Sequence, residues 1–126
     1  MKKKMVVGFL AFVLLISGGA LTKAGTAFTS YNTTVGKFNG SGYTSYQTKA
    51  KSSADGYLNS ATVGGNYQVD ARMNSSSGTG PWVRIDDNRS YFLINSVKSG
   101  AAARVQFSND LSTPVSVQVT GTWSSN

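Results

Sequence analysis

Between Val115 and Trp123 the chain alternates without interruption: Val115, Val117, Val119, Gly121 and Trp123 are separated by Ser116, Gln118, Thr120 and Thr122. A period of two sends successive side chains to opposite faces of an extended strand, leaving one face apolar and the other wet. A helix needs apolar positions three and four apart, so this stretch cannot bury a helical stripe. The same period runs through Ala101, Ala103, Val105 and Phe107, and again through Tyr67, Val69, Ala71 and Met73. A chain built this way must stack one sheet on another to hide its apolar faces.

Turn residues punctuate these strands. Residues 108–114, rich in Asn, Asp and Ser, separate the last two strands and predict a β-hairpin between them. Gly64-Gly65-Asn66 suits a tight turn between residues 57–63 and 67–73. Asp86-Asp87-Asn88 fits a hairpin turn between residues 82–85 and 91–97. Residues 43–49 form another strand candidate, and residues 33–38 are expected to open the sheet. Residues 49–55 and 74–80 are expected as loops within the domain. No window pairs an apolar helical face with capping residues. Seven or eight short strands at this spacing predict an all-β fold, a single antiparallel β-sandwich or small barrel over residues 25–126.

The first 24 residues follow a different pattern. Lys2, Lys3 and Lys4 precede an eleven-residue apolar run at residues 6–16, and Ser17, Gly18, Gly19 and Ala20 follow it. Positive, apolar and then small is the order of a secretory signal peptide, here a signal helix. The run is shorter than the roughly 20 residues a spanning helix requires. Cleavage is expected after Ala24, with Thr22 and Ala24 as the small residues before the bond; retention as an anchor is the alternative. Removing this segment lowers the formal net charge from +7 to +3. The mature chain is then only mildly basic, which excludes the footprint of a nucleic-acid binder.

Composition narrows the chemistry further. The chain has no Cys, no His and no Glu, so its carboxylate side chains are Asp55, Asp70, Asp86, Asp87 and Asp110. Thiol nucleophiles, thiolate metal sites and His-dependent bases are absent. A nucleophilic Ser would have to use Lys, yet Ser-x-x-Lys does not occur; Ser45 and Lys49 miss the spacing by one residue. No Gly-x-Ser-x-Gly elbow or phosphate-cradling loop is present. Asp86 and Asp87 read as turn residues, not as metal ligands. Neither an enzyme nor a cofactor is expected.

Candidate contact residues are Tyr43, Tyr46, Trp82, Arg84 and Arg89. Alternation along residues 43–49 puts Tyr43 and Tyr46 on opposite faces, so at least one is expected at the surface. With Tyr31 and Trp82 they could stack on a sugar or a wall polymer, although Tyr also packs thin cores with its hydroxyl in water. Arg84, Arg89 and Lys98 could join Trp82 near one sheet end. Residues 29–50, alternating and nearly free of charge, are also compatible with a membrane-inserting hairpin.

The Lys-rich start, the Cys-free body with many Ser, Thr and Asn, and the ending in alternating Val and Thr with Gly-Thr-Trp carry a resemblance. In these features the chain resembles small uncharacterised exported β proteins of Gram-positive bacteria, some of them associated with bacteriocin loci. The resemblance implies a secreted accessory protein and supplies no site residues. The function expected from the whole sequence is secreted, non-enzymatic binding at the cell surface or extracellularly. The partner would be a protein, a peptide or a cell-wall polymer, with the chain a monomer. The alternative is a secreted antimicrobial or pore-forming, bacteriocin-like polypeptide.

Overall fold

The structure, a computed structural model, describes residues 23–126; the expected signal helix lies outside the described residues. Eleven strands follow one another: β1 (Lys23–Ala24), β2 (Thr29–Val35), β3 (Ser41–Tyr43), β4 (Gln47–Thr48), β5 (Gly56–Val63), β6 (Val69–Ser75), β7 (Gly78–Thr79), β8 (Val83–Ile85), β9 (Arg89–Leu93), β10 (Ala102–Asn109) and β11 (Val117–Ser124). No helix occurs among the described residues. The larger sheet runs β1-β4-β10-β6-β7, with β3 also on β10 and β8 also on β6; the smaller runs β2-β11-β5-β9. Pairing is antiparallel except between β1 and β4. The two sheets form an open β-sandwich and no closed barrel.

The alternation seen in sequence decides the core. Val69, Ala71 and Met73 of β6 and Ala103, Val105 and Phe107 of β10 face inward from the larger sheet. Tyr31, Val35, Leu58, Val63, Val117, Val119 and Trp123 face them from the smaller sheet. Tyr31 and Phe107 stack across the interior with ring centroids 5.1 Å apart. Each of the Val, Leu, Met and Phe side chains among them contributes roughly 1.5–3 kcal/mol of hydrophobic stabilisation once fully buried.

The expected hairpins are not hairpins. β10 lies in the larger sheet and β11 in the smaller, so residues 110–116 cross the sandwich instead of folding the two strands together. β5 and β6 are separated in the same way across Gly64, Gly65 and Asn66. So are β8 and β9 across Asp86, Asp87 and Asn88. Turn chemistry was legible at the last of these: Asn88 adopts φ 54°, and Asp86 Oδ1 accepts a bond from the Asp87 amide at 2.8 Å. Period two fixes which face a strand buries, not which neighbour it pairs with, and both sheets offer an apolar inner face. Conversely, residues 74–80, expected as a loop, contain the tight β6–β7 hairpin, with Asn74 opposite Thr79 and Ser75 opposite Gly78. The strand expected at residues 33–38 begins earlier, at Thr29. Residues 29–50 are divided between the sheets, β2 in one and β3 and β4 in the other.

Buried polar side chains tie the crossings down. Gln47, fully buried, donates through Nε2 to Ala27 O (3.1 Å), Thr29 Oγ1 (2.9 Å) and Trp123 O (3.1 Å), and accepts from the Ser125 amide at 2.8 Å. Asn109 Nδ2 donates to Gly36 O and Val115 O, at 3.2 and 3.1 Å. Lys49 is buried with Nζ bonded to the carbonyls of Ala54 and Ser125. Ala24, the residue before the expected cleavage bond, pairs with Thr48, and the carbonyl of the following Gly25 accepts from the Asn126 amide at 2.7 Å.

At Gly121 the β11–β5 register slips by one residue. A Cβ there would lie 2.1 Å from Asn59 O and 2.7 Å from the Tyr31 hydroxyl, so only glycine fits. Gly121→Ala is expected to lower stability by about 1–3 kcal/mol in denaturant titration; an unchanged midpoint would contradict this packing.

Tyr31 and Lys49 set the pH profile of stability. Burial pushes the Tyr31 hydroxyl up to about 12, offset in part by the Ser60 hydroxyl beside it; neither oxygen makes a regular hydrogen bond. Burial also lowers Lys49 below its ordinary 10.5, against the attraction of Asp55. With a lowered folded-state value, Lys49 leaves the unfolded chain holding more protons just below pH 10.5, so stability rises with pH there. Tyr31, raised in the folded state, contributes stability below pH 10 that is lost between about 10 and 12. Tyr31→Phe is expected to keep or raise stability at pH 7 and to remove most of the loss above pH 10. Thermal melts of both proteins from pH 8 to 11.5 check this, and parallel profiles would contradict it.

Candidate ligand-binding face

Because β6 and β10 bury their apolar positions, their alternate residues stand on the outer face of the larger sheet. These are Asp70, Arg72 and Asn74 on β6, and Arg104, Gln106 and Ser108 on β10. The antiparallel register sets Arg104 against Asn74, Gln106 against Arg72, and Ser108 against Asp70. β3 adds Ser41 and Tyr43, opposite Ser108 and Gln106, and β8 adds Arg84 opposite Asp70.

Hydrogen bonds and aromatic rings lock this row together. Arg72 Nε donates to Gln106 Oε1 at 2.9 Å, and Arg104 Nε to Asn74 Oδ1 at 3.1 Å. The Arg104 guanidinium lies over Tyr43 at 3.8 Å from the ring centroid and over Tyr46 at 4.9 Å. That of Arg72 lies over Trp82 at 4.3 Å. Contacts of this kind contribute about 0.5–1 kcal/mol each at exposed sites and fix the cation's position.

Charge divides the face in two. Arg84 holds Asp110 through Nη1 at 2.8 Å and Asp70 through Nε at 3.3 Å, one cation against two carboxylates, which leaves that end slightly acidic. Neither Arg72 nor Arg104 has a carboxylate partner among the described residues. Their ring and amide contacts position them without cancelling their charge.

The face gathers four of the five residues singled out in the sequence: Tyr43, Tyr46, Trp82 and Arg84. Tyr43 and Tyr46 do not lie on opposite faces. The inward positions between β3 and β4 are Thr44 and Gln47, three apart, so one extra residue resets the phase and both tyrosines reach the same guanidinium. Arg89 lies elsewhere, at the start of β9 in the smaller sheet, opposite Ser60, and Tyr31 joins no stacking platform because its ring is buried in the core against Phe107. Lys98 lies in the β9–β10 connection, its amide bonded to Ser77 Oγ. Arg72, Arg104, Asn74 and Gln106 escaped sequence reasoning. Each is an ordinary polar position within an alternating strand, and only the β6–β10 register brings the four together.

Other surfaces are arranged differently. The outer face of the smaller sheet carries no charge in its central rows and bonds to itself: Thr62 with Thr120 (2.6 Å), Thr34 with Gln118 (2.6 Å), Ser90 with Asn59 (2.7 Å). Asp86 and Asp87 line a shallow recess with Tyr67 and Asp110, but Asp86 accepts from Gln68 and Asp87 from the Val63 amide. No group of three or more metal-ligating side chains is found among the described residues. Comparison with protein-family models, with curated proteins and with solved structures finds no match to this chain.

Proposed function

We propose that this is an exported, non-enzymatic binding protein acting at the cell surface or outside the cell, with the outer face of the larger sheet as its contact surface. The N-terminal order of charge, apolar run and small residues supports export. One observation carries the binding reading: two guanidiniums without carboxylate partners, Arg72 and Arg104, are held in place by Trp82, Tyr43 and Tyr46. A long flexible side chain normally loses rotamer freedom when it grips a ligand; here much of that loss has already occurred in the fold. Binding without catalysis also suits a chain lacking His, Cys and Glu, in which Lys49 is buried against two backbone carbonyls and out of reach of a substrate.

The test is retention on purified Gram-positive wall material at low salt. Wild type is expected to be retained. Arg104→Ala is expected to weaken retention at least about five-fold, for a charge-assisted contact of about 1–2 kcal/mol. Arg89→Ala, on the other sheet, should match wild type. No retention of wild type, or equal losses in both variants, would contradict this assignment.

A further inference from the structure

From the geometry of the same face we infer the class of its ligand: a linear phosphodiester-linked polymer of polyol or sugar units without nucleobases, gripped by Arg72 and Arg104 through successive phosphates. This rests on the reading of the outer sheet face as the contact surface.

Shape excludes a small molecule. Small-ligand sites are clefts that enclose most of their occupant, whereas Arg72 and Arg104 stand on the pleated outer surface of β6 and β10. An extended ligand crossing the strands matches such a surface. Arg72 and Arg104 are diagonal neighbours in the register, with their Cα atoms about 7–8 Å apart. Their guanidiniums are held on different rings, Arg72 on Trp82 next to β8 and Arg104 on Tyr43 of β3 and on Tyr46, so the two cations present separate forks, as successive charges of a polymer require.

Charge supplies the sign. Neither guanidinium is paired with a carboxylate among the described residues, and a planar fork of this kind matches the two free oxygens of a phosphodiester. The groups between the two cations are neutral hydrogen-bonding ones. Gln106 Nε2 reaches toward Ser41 Oγ and the Tyr43 hydroxyl at 3.3 and 3.4 Å, long contacts that hydroxyls of a polyol can replace.

The aromatic rings argue against single-stranded nucleic acid. Base recognition on such platforms needs bare ring faces for stacking. Here Tyr43, Tyr46 and Trp82 each already carry a guanidinium. The rings serve to aim the cations.

The test is a binding titration of the purified protein with poly(glycerol phosphate), alongside neutral dextran and a thymidine oligonucleotide, followed by calorimetry. Wild type is expected to bind poly(glycerol phosphate) at least ten-fold tighter than either comparison polymer. The slope of log affinity against log salt should be about −1.5, as for two neutralised phosphates. The Arg72→Gln/Arg104→Gln double variant should lose at least ten-fold. The Arg72→Lys/Arg104→Lys variant, which keeps charge but not the fork, should lose less, and Arg89→Gln should lose under two-fold. Circular dichroism of each variant separates misfolding from lost contact. Tighter binding of the oligonucleotide, or an unaffected double variant, would overturn the inference. If wild type ignores poly(glycerol phosphate) while its retention on wall material still depends on Arg104, the ligand class is wrong and the contact face stands. If both fail, the face itself is wrong.

Discussion

Everything in this molecule depends on two apolar sheet faces closing over one another. The stacked pair Tyr31 and Phe107 spans the gap, Leu58 and Trp123 fill one side, and Met73 and Val105 fill the other. Consecutive strands repeatedly sit in opposite sheets, so the chain crosses the sandwich many times instead of finishing one sheet before starting the next. Each crossing carries backbone polar groups past the core, where an unpaired one costs about 1–3 kcal/mol. Gln47 and Asn109 meet that demand with side-chain amides, and Lys49 does so with its ammonium. Fold and buried polar network are therefore one design: without these side chains the crossings would leave carbonyls dry and unbonded.

The outward face follows from the inward one. Once Ala71 and Met73 are committed to the core, Arg72 must point out, and Val105 and Phe107 impose the same on Gln106. The β6–β10 register then chooses the partners, setting Gln106 beside Arg72 and Asn74 beside Arg104. Tyr46 joins because the chain breaks phase between Thr44 and Gln47. A rigid sheet with both flanks packed gives the two guanidiniums fixed separation and direction, which side chains on a mobile loop would lack.

Much of this was legible in residue order, and the failures share one cause. Strands β6, β10 and β11 were evident from alternation alone, because a half-buried strand has to alternate. Their partners were not: the Asn/Asp/Ser-rich stretch after Phe107 has the chemistry of a hairpin turn, yet it spans the sandwich. Turn residues record the local backbone conformation and not the sheet that receives the next strand. The contact face was half legible for the same reason. Tyr43, Tyr46 and Trp82 stand out as aromatics among small polar residues. Arg72 and Arg104, more than thirty positions apart, gain meaning only when the register sets them diagonally across adjacent strands.

The most direct measurement of the central claim, that the outer face of the larger sheet is the contact surface, is a nuclear magnetic resonance map of the protein with and without soluble wall-derived polymer. The two indoles are an internal pair of reporters: Trp82 is 42% exposed on that face, and Trp123 is fully buried. Shifts are expected at the Trp82 indole, at the Arg72 and Arg104 guanidinium signals and at the Gln106 and Asn74 amides, with Trp123 unmoved. Shifts centred on Thr34, Thr62, Thr120 and Thr122 of the opposite sheet, with Trp82 unmoved, would contradict it.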